Sequence, residues 1–558
     1  MQKYVNHIII GALIILGFVL YANSFHNQMF WDDHDGIVNN TYIKDFSNFP
    51  KFFSENLIAG SGLVSNYWRP LLLTVFSVEW HLWQLNVFGF HFVNTVFHIL
   101  CAILIYLVLK RLFRNQTLAF VPALLFLIHP LQTEAVTYIS GLADPLGEFL
   151  SLLAVWFYMN YRDNHDKKSN SGPFMLSVGL YVLALMTKDS AVVNLGLFGL
   201  VEFFYNPTSH SLKTRLTNAL KNLYPFIITA AVYLFLRATA LNFQNTFNLY
   251  NEQNIYTDNF SVRLFTFFKV VTEYFSLLLW PNHLHMERSV DLAHSLFSPM
   301  VLVGAGLTLG SLVLAFVYYK KYPILSFAIF WFYGLLFVHS NLLAQTAALL
   351  YEHWLYLPMV GFWLAATWLI FSVIPDFSPR LRRVGAGIRN PVQRRYFWIP
   401  AFAGMTILCL ILGYKTIARN TDWHDPITFY NQTLAYAPTS YRVINNLGMA
   451  YDEAKNYEKA MEMYRRDITI DPNNPVAYHN LGNTYKNQGR IDLAIPEFER
   501  AINNDPNFLF SYRSLAQIYL DQKNYDKAIE WLKKLQAANP SDPTPQIYID
   551  QINQLKRN

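Results

Sequence analysis

The chain is short of charge and nearly without cysteine. Only 14% of its 558 residues are Asp, Glu, Lys or Arg, and 53% are hydrophobic, whereas soluble domains carry roughly 25% charged residues. That shortage excludes a chain soluble throughout and points to a polytopic membrane protein with room for one soluble domain. The two cysteines, Cys101 and Cys409, both fall within apolar runs. This argues against a structural disulfide and excludes a multi-cysteine zinc site. The formal charge of +6 is no nucleic-acid signal, because much of the excess sits in short loops, where Lys and Arg set membrane orientation.

Apolar runs occupy about 8–22, 91–113, 117–131, 146–161, 174–187, 190–205, 223–240, 262–280, 298–319, 323–339, 354–373 and 397–417. A full crossing takes about 20 residues, so the shorter runs must borrow flanking residues or form hairpins. The first run follows Lys3 and ends in Tyr21-Ala22-Asn23-Ser24, a poor cleavage site; it reads as a retained signal anchor. Basic loops around Lys110-Arg111-Arg114, Arg162-Lys167-Lys168, Lys213-Arg215-Lys221, Lys320-Lys321 and Arg380–Arg395 are expected inside. The loop 23–90, residues 131–145, Lys188-Asp189, 241–261, 281–297, 340–353 and everything after 417 then face outside.

About eleven crossings are expected. Residues 262–280, with Lys269 and Glu273, lie between two external stretches and suit a re-entrant or interfacial helix, which leaves open whether they span. Residues 70–85 are amphipathic, with two Trp, and read as a helix at the outer interface. The basic loop 374–396 is foreign to its surroundings, and residues 398–406 resemble the translation of a mobile bacterial repeat element. This stretch is expected to be disordered or dispensable up to the last span.

From residue 441 the period becomes 34 residues: Leu447-Gly448, Leu481-Gly482 and Leu515-Ala516 recur in step. Tyr451, Tyr485 and Tyr519, then Ala460, Ala494 and Ala528, then Pro472, Pro506 and Pro540 follow the same interval. This is the tetratricopeptide (TPR) pattern, in which small residues let the two helices of a hairpin approach and Pro ends the second. The expected fold is therefore all-α. A membrane domain over 1–420 precedes a TPR domain over 421–558, with a half repeat 421–440, repeats 441–474, 475–508 and 509–542, and a capping helix 543–556.

The chemistry-bearing stretch is Trp31-Asp32-Asp33-His34-Asp35, directly behind the first apolar run. Carboxylates held beside lipid are costly and mark function by default. Glu134 and Asp144 are further rim carboxylates, with helix capping the alternative role for Asp144. His91, His98 and His129 lack metal-ligand spacing and read as structural.

Several motifs follow in a specific order: Phe30-Trp31-Asp32-Asp33, Tyr67-Trp68-Arg69-Pro70-Leu71, and Gly89-Phe90-His91-Phe92-Val93-Asn94 with His98. After them come His129-Pro130-Leu131-Gln132-Thr133-Glu134-Ala135-Val136, Lys188-Asp189 and Tyr356-Leu357-Pro358-Met359-Val360-Gly361-Phe362. Together they resemble the transmembrane-and-TPR O-mannosyltransferase family and its bacterial relatives. These are similar to protein O-mannosyltransferases of the C-type glycosyltransferase superfamily. The resemblance implies a C-type glycosyltransferase fold for the membrane domain and a polyprenyl- or dolichyl-phosphate sugar donor. It also implies an acidic first external loop carrying the catalytic carboxylate, with the TPRs on the same side. Asp32 is then the expected base and Asp33 its partner, since transfer to a hydroxyl needs a carboxylate to take the acceptor proton.

Cations at the outer headgroup level would hold the donor phosphate: Arg69, Lys188, Arg237 and His353, with Arg288 a further candidate. Glu352 is added to Glu134 and Asp144 as a site candidate. The chain departs from the family at Gly141-Leu142-Ala143-Asp144 and Glu352-His353, where the family has arginine in place of Leu142 and His353, and at Lys188-Asp189, where it has Lys-Glu.

The expected function is transfer of a mannose-like sugar from a polyprenyl-phosphate donor to a hydroxyl of an external protein held by the TPRs. No cofactor is required by this reading, and a divalent metal is compatible with it. The expected place is a bacterial inner membrane, with the acidic loop and TPRs on the periplasmic side and membrane lipids, not nucleic acid, as surroundings. The alternative is a non-catalytic, membrane-anchored TPR scaffold for envelope proteins.

Overall fold

The computed structural model describes residues 2–163, 171–205, 211–244, 255–288, 290–343, 348–373, 391–540 and 542–557. Among these the regular structure is entirely helical. The chain divides into two compact units, Met1–His424 and Asp425–Asn558.

Among the described residues of the first unit, six helices are long and apolar enough to cross a membrane: Tyr4–Ser24, Val87–Phe113, Ile139–Asp163, Leu212–Ala238, Pro299–Tyr318 and Pro323–Ser340. A seventh span results if the bent pair Gln116–Ile128 and Pro130–Val136 crosses as one. This differs from the eleven crossings expected of the apolar runs. The apolar helices Gly172–Leu185 and Pro358–Phe371 are too short at about 1.5 Å per residue to cover roughly 30 Å of hydrocarbon. Residues 260–279 form one unbroken helix of 20 residues that is not among the six. It packs tightly on Pro299–Tyr318, where a Cβ on Gly304 would lie 1.8 Å from the Phe268 carbonyl oxygen. The stretch 374–390 lies outside the described residues. The last helix begins at Pro391 and runs to Asp422, ahead of the apolar run at 397, with Pro at the first turn, where its missing N–H costs nothing.

Two long helices define the ends of this unit. Near the start of Val87–Phe113, the Asn94 amide donates to the carbonyls of Val136, Tyr138 and Ile139 at 3.3, 3.0 and 3.2 Å. At its other end Arg111 pairs with Asp163 at 2.6 Å, and Arg162 pairs with Glu202 at 3.2 Å. With 27 residues the helix separates these ends by about 40 Å. The basic ends of Val87–Phe113 and Ala143–Asp163 are thus remote from the acidic loop, which lies against residues 138–140.

The second unit is a stack of helix pairs: Tyr441–Glu453 with Tyr457–Ile470, Pro475–Asn487 with Ile491–Asn504, and Leu509–Asp521 with Tyr525–Ala538. Pro426–Leu434 precedes them and Thr544–Arg557 follows. The small residues act as the period predicts. A Cβ on Gly448 would meet the Tyr464 ring at 2.5 Å, and one on Gly482 would meet Phe498 at 3.0 Å; Ala460, Ala494 and Ala528 are fully buried. Ser440, Asn456, Asn474 and Asn524 cap their helices through side-chain oxygens, satisfying N–H groups the helix leaves open.

Candidate active site

The acidic loop separates its three carboxylates. Asp33 is 1% exposed. One of its oxygens accepts the backbone N–H of Ser140 at 2.8 Å and the Ser140 hydroxyl; the other accepts the Phe30 N–H at 3.2 Å. Burial raises its pKa to about 7, against the lowering effect of these hydrogen bonds. Asp32 is exposed, and its backbone N–H donates to the Tyr138 hydroxyl at 2.9 Å. Asp35 stands in the first turn of the short helix His34–Val38, and burial raises its pKa, partly offset by His34. The residue before Asp32, Trp31, has φ 56°, in the left-handed region that a bulky side chain rarely adopts.

The partners that Asp32 and Asp33 find far along the chain, Tyr138 and Ser140, come from one segment. Residues 129–148 leave the helix Gln116–Ile128 through Pro130, fold back at Gly141 and enter the helix Ala143–Asp163. A Cβ on Gly141 would lie 2.7 Å from the Ala135 carbonyl oxygen, so the fold-back is open only to glycine. The segment presents Tyr138 and Ser140 to the acidic loop, Glu134 to His353, and Asp144 to Lys188. Glu134 accepts both the His353 backbone N–H at 3.0 Å and its ring Nδ1 at 2.8 Å.

A small recess lies alongside, lined in part by Asp144, Glu148, Asn194, His339, His353 and Tyr356. Glu148 takes an amide hydrogen bond from Asn194 at 2.8 Å. Glu148, Tyr138 and Ser140 were not singled out from sequence. Glu148 stands one helical turn after Asp144, a spacing that signals a shared face; nothing local marks the other two.

The cations nominated for phosphate are mostly occupied. Lys188 pairs with Asp144, Arg237 with Asp189 at 2.7 Å, Arg288 with Glu352 at 2.9 Å, and His353 with Glu134. Arg237 also donates to the carbonyls of Asn66 and Leu241. Arg69 differs: among the described residues it has no carboxylate partner, and its Nε is buried without a hydrogen bond. Its guanidinium lies over the Tyr67 ring at 4.6 Å. Leu71 N–H bonds to the Met186 carbonyl at 3.1 Å, which brings the Arg69 stretch beside Lys188. Glu352 also accepts the His285 N–H at 2.8 Å; burial raises its pKa, while Arg419 and Arg288 lower it.

His129 and His98 make hydrogen bonds within the helical bundle. His129 accepts the Leu131 N–H at Nδ1, 3.3 Å away, so its Nε2–H donates to the Leu278 carbonyl at 3.1 Å. His98 bridges the Tyr356 hydroxyl at 2.9 Å and the Leu127 carbonyl at 3.2 Å. Among the described residues no group of three or more His, Cys, Asp or Glu could hold a metal ion.

Models of the tetratricopeptide repeat match residues 448–489 and 479–543. The human protein O-mannosyl-transferase TMTC1 is 32% identical over 33% of this chain and 22% of its own length. The protein O-mannosyl-transferase F38B6.6 of Caenorhabditis elegans is 23% identical over 81% of this chain and 62% of its own. Drosophila melanogaster Tmtc1, also a protein O-mannosyl-transferase by name, is 24% identical over 80% and 59%. The chain thus spans less than two thirds of these curated relatives. Among solved structures, the MamA protein is similar at 24% identity with a TM-score of 0.21, over 23% of this chain and 71% of that one. Homologous over four fifths of its length to named protein O-mannosyl-transferases and carrying TPR repeats, the chain fits the transmembrane-and-TPR O-mannosyltransferase family.

Proposed function

We propose that this protein is a membrane glycosyltransferase that moves a mannose-like sugar from a polyprenyl-phosphate donor to a hydroxyl of an external protein. The observation that carries the reading is the division of labour at residues 32 and 33. Asp33 is buried and its oxygens are taken up by hydrogen bonds from Ser140 and Phe30, while Asp32 is exposed on the same loop. Asp32 takes the proton of the acceptor hydroxyl as that oxygen bonds to the anomeric carbon and the carbon–oxygen bond to the donor phosphate breaks. The phosphate leaves as a dianion-like group and meets Arg69, with Lys188 and Arg237 close behind it. The recess beside Asp144 and His353 adjoins the same segment, 129–148, and presents polar side chains to the donor.

The acceptor polypeptide lies in the TPR stack. A groove there is lined by Met449, Asp452, Asn480, Asn483, Lys486 and Asn487, among others. Its amides donate and accept as a peptide backbone does, and stacked helix pairs present such surfaces for extended ligands. The acidic loop and the TPR domain share the external, periplasmic side of a bacterial inner membrane in this reading, because the basic loops alternate that way.

The test is single-turnover transfer from a panel of labelled polyprenyl-phosphate sugars by the purified full-length chain and its Asp32→Asn variant. Transfer by the wild type that the variant loses supports the reading. Wild-type rates in the variant would remove the loop as catalytic centre and favour the scaffold alternative.

A further inference from the structure

Trp31 occupies a left-handed backbone conformation (φ 56°) directly before the exposed Asp32. Such a conformation persists only where the surroundings over-determine it. Three interactions hold the turn locally. Asp33 N–H bonds to the Phe30 carbonyl at 3.2 Å, His34 N–H to the Trp31 carbonyl at 3.0 Å, and the Asp33 carboxylate closes on the Phe30 N–H at 3.2 Å. None of these fixes where the turn stands relative to the helical bundle.

Residues 138 and 140 tie it to the bundle. The Tyr138 hydroxyl accepts the Asp32 N–H at 2.9 Å, and Ser140 binds Asp33 through both its N–H and its hydroxyl. Tyr138 is itself fixed at both ends. Its carbonyl takes the Asn94 amide at 3.0 Å. Its ring, 6% exposed, lies 6.2 Å from Phe30 and 5.4 Å from Trp423, centroid to centroid. The phenol oxygen is therefore a rigid point to which the amide of Asp32 is tied.

We propose that Tyr138 is a positioning residue for Asp32, with Ser140 and Asp33 forming the anchor of the loop, so that Asp33 acts as a structural clamp and not as a second catalytic carboxylate. The inference rests on the reading of Asp32 as the base. Tyr138 transfers no proton; it keeps the Asp32 carboxylate within reach of the acceptor hydroxyl.

The experiment uses the full-length chain and its Tyr138→Phe variant, which keeps the packed ring and removes the phenol oxygen that accepts the Asp32 N–H and also bonds the Ser140 side chain. Four quantities are read: the single-turnover rate constant, its amplitude, the affinity for a labelled polyprenyl-phosphate sugar, and hydrogen exchange of a peptide covering residues 31–34. A misplacement near 1 Å can cost about a hundredfold in rate. The rate constant should therefore fall roughly 10- to 100-fold, with amplitude and donor affinity kept and exchange at 31–34 faster. The amplitude counts folded enzyme, so a variant that merely misfolds loses amplitude and not rate constant.

The pH–rate profile of Tyr138→Phe should drop without a change of midpoint; a shifted midpoint would make the phenol a proton-transfer group and overturn the proposal. Unchanged exchange, or faster exchange with a wild-type rate constant, would also overturn it. If Asp32→Asn is inactive in the same assay while Tyr138→Phe is unimpaired, the positioning role alone fails. If Asp32→Asn keeps its rate, the assignment of the base fails and takes the positioning role with it.

Discussion

Asp33 and Ser140, separated by 107 residues in the chain, meet so that both the amide and the hydroxyl of the serine donate to a single carboxylate oxygen. This contact ties the acidic loop to the segment 129–148, from which Glu134 and Asp144 also reach their partners. The loop's two neighbouring aspartates thereby acquire opposite environments, one dry and hydrogen-bonded, one wet.

The first prediction concerns Asp32. Loss of a general base is typically worth about 10²–10⁴ in rate, so Asp32→Asn should lose that much in single-turnover transfer and still bind donor lipid. A wild-type rate in a stable variant would refute the assignment.

Asp33 should show itself through pH. Burial holds its folded-state pKa near 7, above the ordinary 3.8, so between those values the folded chain keeps a proton that the unfolded chain has released. The stability contributed at this position is full below pH about 4 and is lost as pH rises through about 7. Hydrogen exchange of the loop should accelerate across that window in the wild type. In Asp33→Asn the acceleration should vanish, and its persistence would assign it to another group.

Arg69 and Lys188 should part company. Removing an unpaired guanidinium deprives a phosphate of charge-assisted hydrogen bonds worth about 1.5–3 kcal/mol, so Arg69→Ala should weaken donor binding at least tenfold with little loss of stability. Lys188 is paired to Asp144, with side-chain exposures of 13% and 11%. Lys188→Met leaves a nearly buried carboxylate unpaired, which costs about 3–5 kcal/mol. Thermal unfolding should register this, and Asp144→Asn added to it should recover part of the loss. Equal stabilities for the two single variants would contradict the pairing.

The TPR groove should matter for protein acceptors alone. Asn480 donates to Asn445 at 2.9 Å and Asn483 to His479 at 3.0 Å, so the paired change to alanine strips amides from the groove without touching the buried glycines and alanines. KM for a polypeptide acceptor should rise while donor affinity stays. Equal loss of both would make the array a support for the membrane unit.

Orientation can be read directly. A cysteine placed at residue 480 should react with an impermeant reagent from the periplasmic side, as should one in the loop 23–90. Labelling of either from the cytoplasm alone would reverse the topology drawn from the basic loops.

Periodicity made the all-α class and the TPR phase legible in the sequence. Both rest on local, repeated geometry: small residues every 34 positions have one use, and the contacts of Gly448 with Tyr464 and Gly482 with Phe498 show it. The acidic loop was legible for a related reason, since three carboxylates behind an apolar run stand out against a chain with 14% charge. The number of crossings was not. An apolar run shows that a segment avoids water, but the helices Gly172–Leu185 and Pro358–Phe371 show that it can end short of a bilayer's width.

Nor could sequence tell which aspartate is buried, or that Lys188, Arg237, Arg288 and His353 would each meet a carboxylate. A charge is visible in the sequence, whereas its partner is chosen by folding. The Asp32–Tyr138 and Asp33–Ser140 contacts span 106 and 107 residues, and no local pattern marks a tyrosine or serine as the far end of such a bond. Residue type and spacing determined what chemistry the chain carries. Only the tertiary structure decided which of those groups water reaches, because burial and pairing belong to surfaces brought together from distant parts of the chain.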